Sequence, residues 1–218
     1  VIICAEQDFV VCLAYLSFKI KGVASVADYS AYIEKSFREH IAMAERVLAE
    51  QSATINTMAN VLIACYQQGH KAIFCGNGGS AADAQHLAAE FVGRYLIDRR
   101  PIPALALHTD TSTLTAVGND YGYDQVFSRQ VKAHMNPGDV LVCLTTSGNS
   151  VNVIKAAEVA RELGNPVLAL LGGDGGKILP LCDHALVVPF KLPYLVQEIS
   201  MVVGHLLCDL TEQALFAK

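Results

Sequence analysis

A chain of 218 residues with 52% hydrophobic side chains has ample material for one buried core and little reason to be disordered. Its formal net charge of -5 excludes a dedicated binder of nucleic acid or of anionic membranes, since either needs a basic face. Seven cysteines, an odd count without a CxxC pair, sit mostly in apolar runs, as small core residues do in a reducing cytoplasm.

Residues 1–25 stand apart. In "VIICAEQDFVVCLAYLSFKIKG", Glu6 and Asp8 precede the apolar stretch and Lys19 and Lys21 follow it. That is the reverse of a secretory signal, and the uninterrupted apolar run is too short to cross a bilayer. We read it as a non-native or wrongly started extension, with an extra strand or helix as the alternative, and assign it no function. The domain then covers 26–218.

From Ser25 to Gly69 the period is helical. Ile33, Phe37, Ile41, Ala44 and Leu48 recur at spacings of three and four, and Ile55, Met58, Leu62 and Tyr66 do the same. Two amphipathic helices are expected, packed on a sheet or on a partner subunit, with Gly69 as the stop. Short apolar runs at Ala72–Cys75, Ala104–Leu107, Val140–Leu144, Val167–Leu171 and Ala185–Val188 then read as buried strands. Helical stretches near 80–96, 123–134 and 150–163 separate them, and a long helix near 194–215 closes the chain. This alternation predicts an α/β fold with a doubly wound, five-stranded parallel sheet behind the N-terminal helices. Ligands of such sheets bind at the C-terminal ends of the strands.

Two loops at such ends carry chemistry. Gly76, Gly78 and Ala81 fit a loose G-x-G-x-x-A dinucleotide pattern, with Asp98 or Asp110 as ribose partners; the match is weak alone, and a glycine turn between strand and helix is often only a tight connection. The second loop, "TTSGNS", offers hydroxyls from Thr145, Thr146, Ser147 and Ser150 just before a helix N-terminus, a seat for one phosphate. It lacks the lysine of a nucleoside triphosphate loop. The bland alternative is N-capping by Ser150. Between the loops, His86 and Glu90 share one helix face at i and i+4. Gln197, Met201 and His205 form a stripe along the closing helix, where polar groups need partners or a cavity. Asn119 and Asp120 are expected in a turn near the loops. His108, His134 and His184 read as loop or helix-surface residues.

The stretches "GNGGSAADAQHLAAEFVGRY", "GNDYGYDQVFSRQV", "TTSGNSVNVIKAA", "GGDGGK" and "QEISMVVGHLL" together resemble the SIS-domain phosphoheptose isomerases, over about residues 28–215. The resemblance implies a flavodoxin-like sheet and a cytoplasmic homotetramer with active sites between subunits. It also implies conversion of sedoheptulose 7-phosphate into D-glycero-D-manno-heptose 7-phosphate, toward the heptose of lipopolysaccharide or related glycans. By position, Glu90 and His205 match the family's acid/base pair. His86, Glu90, Gln197 and His205 match zinc ligands described for some members. Asn77, Gly78, Gly79, Ser80, Glu90, Asn119, Asp120, Thr145, Thr146, Ser147, Ser150 and Gln197 match substrate contacts, with Arg94 a weaker candidate. A glutamate on zinc is a poorer base, so Glu90 is expected to shift between roles or to bind the metal weakly. A paralogous group that binds the replication initiator shares "SAADAQH" and a tail like "LLCDLTEQALF", but its members generally lack the equivalents of Glu90 and His205.

Gln197 and His205 also pose a geometric problem. Eight residues of straight helix separate them by roughly 12 Å, too far for one metal with bonds of about 2 Å. Either two chains share a site or the helix is irregular there.

Overall fold

The computed structural model describes residues 27–217; the N-terminal extension read from the sequence lies outside them. The chain divides into two units, Val1–Glu39 and His40–Lys218. In the first, Tyr32, Ile33 and Phe37 are exposed on the opening turns of helix α1 (Ser30–Gln67).

The expected helical pair is a single helix of 38 residues. Its middle, "AEQSAT", contains neither Gly nor Pro, so nothing in the backbone breaks the hydrogen-bond ladder. The two apolar series also differ in fate. Ile55, Met58, Leu62 and Tyr66 are buried, while Ile41 and Leu48 face outward and Met43 and Val47 take the core positions instead.

The second unit carries the predicted sheet. Strands β1 (Ala72–Gly76), β2 (Ala104–Ala106), β3 (Val140–Thr145), β4 (Val167–Gly172) and β5 (His184–Val188) are all parallel, in the order β2-β1-β3-β4-β5. His184, expected in a loop or on a helix surface, opens β5. Helices α2 (Gly79–Val92), α3 (Thr111–Tyr121), α4 (Ser128–His134), α5 (Val151–Glu162) and α6 (Pro193–Phe216) complete the winding. The stretch expected as one helix over 123–134 is a short 3-10 turn, Tyr123–Gln125, followed by α4.

Successive strand residues serve opposite layers, as the two-residue period of a strand requires. Phe74, Val142, Leu144, Leu168 and Leu170 pack with Met58 and Leu62 of α1, Leu87 and Phe91 of α2, and Val196, Ile199 and Val203 of α6. Ile73, Cys75, Leu141, Cys143, Ala169 and Leu171 pack with α4 and α5 through Phe127, Val131, Val153 and Ala157. At the sheet's β5 side, the Gln51 amide donates to the Val187 carbonyl and its oxygen accepts the Val187 N–H at 3.0 Å.

Helices α2 and α6 lie side by side and run the same way: Gly79 adjoins Gln197, Leu87 adjoins Gly204, and the segment just past α2 adjoins Glu212. A Cβ at Gly204 would stand 2.7 Å from a Leu87 methyl, so the missing side chain sets how closely the helices approach. Gly204→Val should therefore cost about 1–3 kcal/mol of stability by overpacking. Urea denaturation checks this, and in a Leu87→Ala background the penalty should shrink.

Candidate active site

In a sheet of this order the connections diverge between β1 and β3, which opens a crevice at their C-terminal ends. Both loops singled out in the sequence leave the sheet there. The first turns at Gly78 into α2, and the second runs from Thr145 to Ser150 into α5.

Asn77, Ser80, Thr145, Thr146, Ser147, Ser150 and Gln197 line one small polar cleft of about 140 Å³. Thr146 and Ser147 also border an adjoining cavity of about 610 Å³, walled by the 172–174 loop and by Pro189–Lys191. The smaller space is well below the usual volume of a cofactor pocket, whereas the larger is within it. Gly79 and Ser80 bring the start of α2 to the cleft. A side chain at Gly79 would collide with the Gln197 amide.

Ser150 does not cap α5 with its side chain; its hydroxyl lies 3.3 Å from that of Thr145. The bland reading of this serine is thereby set aside, and its hydroxyl faces the cleft. The loop is braced from behind by the end of "GGDGGK" and the residue after it: Lys177 N–H donates to Asn149 Oδ1, and Ile178 N–H donates to the Gly148 carbonyl. Asn77 exchanges two amide hydrogen bonds with Asn152 of α5, at 2.8 and 2.9 Å, which locks the two loops together.

Asp110, a possible ribose partner in the dinucleotide reading, is consumed as the N-cap of α3, where it accepts the Thr113 N–H. Asn119 and Asp120 occupy the last turn of α3 rather than a loop. Their side chains bond each other at 2.8 Å, and among the described residues neither bonds to the two loops. Tyr123, three residues on, does so through its hydroxyl, which donates to Asn77 Oδ1 at 3.2 Å. Arg94 is exposed and makes no hydrogen bond or ion pair among the described residues.

About two helical turns along the α2–α6 contact, His86, Glu90 and His205 converge. His86 Nε2 lies 2.9 Å from His205 Nε2 and 3.3 Å from Glu90 Oε1. All three ligand atoms fall within 4.8 Å of one another. Two imidazole nitrogens this close must share a proton or point at one cation. Bonds of about 2.0–2.1 Å in tetrahedral array put ligand atoms roughly 3.3–3.4 Å apart, so this donor set fits zinc with small adjustments. Helix α6 is continuous from Pro193 to Phe216. The irregular-helix alternative is thus set aside, and Gln197 stands at the polar cleft rather than beside His205.

Four further residues matter here that the sequence reading did not place at the site. The Tyr95 ring stacks on His205, with centroids 5.7 Å apart. Glu212, 1% exposed, accepts the N–H groups of Tyr95, Leu96 and Ile97 at 2.6–3.0 Å and pairs with Arg99 at 2.8 Å. Burial would push the Glu212 carboxyl up, but the amides and the Arg99 guanidinium outweigh it and hold it below the ordinary range. His108, read as a loop or helix-surface residue, does lie in the loop after β2, but it is half-buried there and its Nε2 lies 2.8 Å from the Gly76 carbonyl. No spacing rule marks such residues; only the fold brings them to the site. Among the described cysteines Cys65, Cys75, Cys143 and Cys208 are buried and Cys182 is half-buried; burial pushes the Cys65 and Cys182 thiols up to about 12, so neither serves as a thiolate.

The SIS domain family matches residues 36–172. A phosphoheptose isomerase from Rhodospirillum rubrum is 57% identical over 168 residues, covering 77% of this chain and 89% of that protein. One from Trichlorobacter lovleyi is 49% identical, covering 85% of this chain and 95% of that one. This chain belongs to the phosphoheptose isomerase family. The structure of the family member from Neisseria gonorrhoeae superposes with a TM-score of 0.81 at 41% identity, over 85% of this chain and all of that one. The member from Francisella tularensis gives 0.82 at 35% identity, over 86% of this chain and all of that one. Neither a dinucleotide enzyme nor a replication-initiator binder is favoured by these matches. Among the described residues, no helix is long and apolar enough to cross a membrane.

His108 also sets a pH dependence. Burial lowers its pKa, so the folded state prefers the neutral ring. Stability from this group is present above about 6.5, the ordinary histidine value, and is lost as pH falls through the lowered folded pKa. The melting temperature should drop between pH 7.5 and 5.5, and the drop should be smaller in His108→Gln.

Proposed function

We propose that the chain is an aldose–ketose isomerase that converts sedoheptulose 7-phosphate into D-glycero-D-manno-heptose 7-phosphate in the cytoplasm, supplying heptose for lipopolysaccharide core or capsule. The observation that carries this reading is the meeting of Glu90 with His205, two turns from a hydroxyl-rich cleft, in a chain 57% identical to a phosphoheptose isomerase.

The reaction moves a carbonyl from C2 to C1. The hydroxyls of Thr145, Thr146, Ser147 and Ser150, with the free N–H groups at the start of α5, hold the phosphate. Asn77, Ser80 and Gln197 orient the sugar. The Glu90 carboxylate removes the proton from the carbon beside the carbonyl and returns it at the neighbouring carbon. Between these steps His205 transfers a proton from one oxygen of the enediolate to the other. His86, Glu90 and His205 would hold a zinc ion, which when bound supplies positive charge against the oxygens that become negative.

Gln197 can join that ligand set only from another copy, because a continuous helix keeps it roughly 12 Å from the His205 of its own chain. This supports a homotetramer with shared sites, for which the exposed Ile41 and Leu48 supply apolar surface.

Two experiments test the reading. The protein should produce the aldose from sedoheptulose 7-phosphate, and Glu90→Gln should lower kcat by about 10²–10⁴-fold; undiminished turnover removes Glu90 from its role. Glu90→Gln and Gln197→Ala, each weak alone, should regain activity when unfolded together and refolded as mixed oligomers. No gain over the separate variants would show that one chain builds the whole site.

A further inference from the structure

We propose that Glu212 and Arg99 form a positioning clamp that fixes where Glu90 and His205 stand relative to each other. The proposal rests on the reading of those two residues as the proton-transfer pair, and neither Glu212 nor Arg99 touches substrate in it.

The clamp lies at the far end of the α2–α6 contact. Arg99 donates to the carbonyls of Glu90 at 2.9 Å and Phe91 at 2.8 Å, groups the end of α2 leaves without helical partners. Its Nε donates to Glu212 at 2.8 Å. Glu212 in turn accepts the three N–H groups of residues 95–97, the first of which belongs to the tyrosine stacked on His205. One buried pair thus reaches both members of the proposed catalytic pair. It reaches Glu90 through its own backbone carbonyl, and His205 through the Tyr95 ring and through α6, which carries both His205 and Glu212.

The energetics favour a geometric role over a stabilising one. The Arg99 and Glu212 side chains are 3% and 1% exposed, so both charges have lost their hydration. A buried ion pair of this kind gains little over well-packed apolar residues of the same volume. It does impose direction. Both charged groups make several hydrogen bonds at fixed positions, and sliding α2 along α6 would break more than one at once. An apolar contact would tolerate that slip. Proton transfer would not, since a misplacement of about 1 Å can cost on the order of 100-fold in rate.

The test uses Glu212→Gln, with Arg99→Lys as a second variant should the first fail to fold. In the folded variant, kcat for sedoheptulose 7-phosphate should fall at least about 10-fold with KM changed less than about threefold, because the hydroxyl-rich cleft lies two turns away. The ring NMR signals of His86 and His205 in metal-free protein should shift as well. A variant that melts earlier but keeps its kcat and both histidine signals would show the pair to be structural only, and would overturn the proposal. If the unaltered protein does not turn over this sugar phosphate, the isomerase reading fails. The histidine signals then still decide the clamp: shifted signals support it and unshifted ones dismiss it.

Discussion

The parallel contact between α2 and α6 is the constraint on which this structure turns. Each helix alone carries a fragment of chemistry: a histidine and a glutamate one turn apart on α2, and an amide and a histidine two turns apart on α6. Side by side and pointing the same way, they put like with like. The helix starts meet at the polar cleft and their middles meet at the His86–Glu90–His205 cluster. Antiparallel packing of the same sequences would bring Gln197 toward Glu90 and strand His205 at the loops. Small residues make the approach possible, and the sheet enforces its direction. Both helices follow strands that run the same way and pack on one face of the sheet.

The rest of the site hangs from this contact. The small polar cleft belongs to the sheet ends, where β1 pairs with β3 along its whole length and Thr145 of β3 pairs with β4. Its loops are fastened from three sides by Asn152, the 172–178 loop and His108. Polar side chains perform much of that fastening; Asn152 is buried, Asn77 and His108 are half-buried, and Asn149 is exposed. The architecture therefore separates a hydroxyl-lined cleft at the sheet ends from a His–Glu–His cluster farther along the two helices.

Much of this was legible in the sequence. The five strands were visible as apolar runs because a strand covered on both faces has no polar alternation to blur it. The hydroxyl-rich loop announced itself by composition, and the His86–Glu90 pair by helical spacing. Helix α1 was misread as two because periodicity records which residues are apolar, not which face is covered. Ile41 and Leu48 follow the same spacing as buried residues yet stand in the open. Asn119 and Asp120 were assigned to a turn by composition, although nothing in that stretch prevents a helix until Gly122. His108, Tyr95, Arg99 and Glu212 could not be found by pattern. A buried polar side chain looks like a surface one until its partner, often more than 100 residues away, is in view.

The hydrogen bonds of Gln51 have a consequence for how copies of the chain can meet. A parallel sheet ends in two rims of unpaired backbone groups, each able to recruit a foreign strand. Here one rim is β2, only three residues long, and the other is β5, whose Val187 already has both backbone groups engaged by a glutamine side chain. With both rims blunted, the sheet offers a neighbour little to extend. Any contact between copies would then fall to helical surfaces, where side-chain shape sets the geometry and neither sheet need be altered.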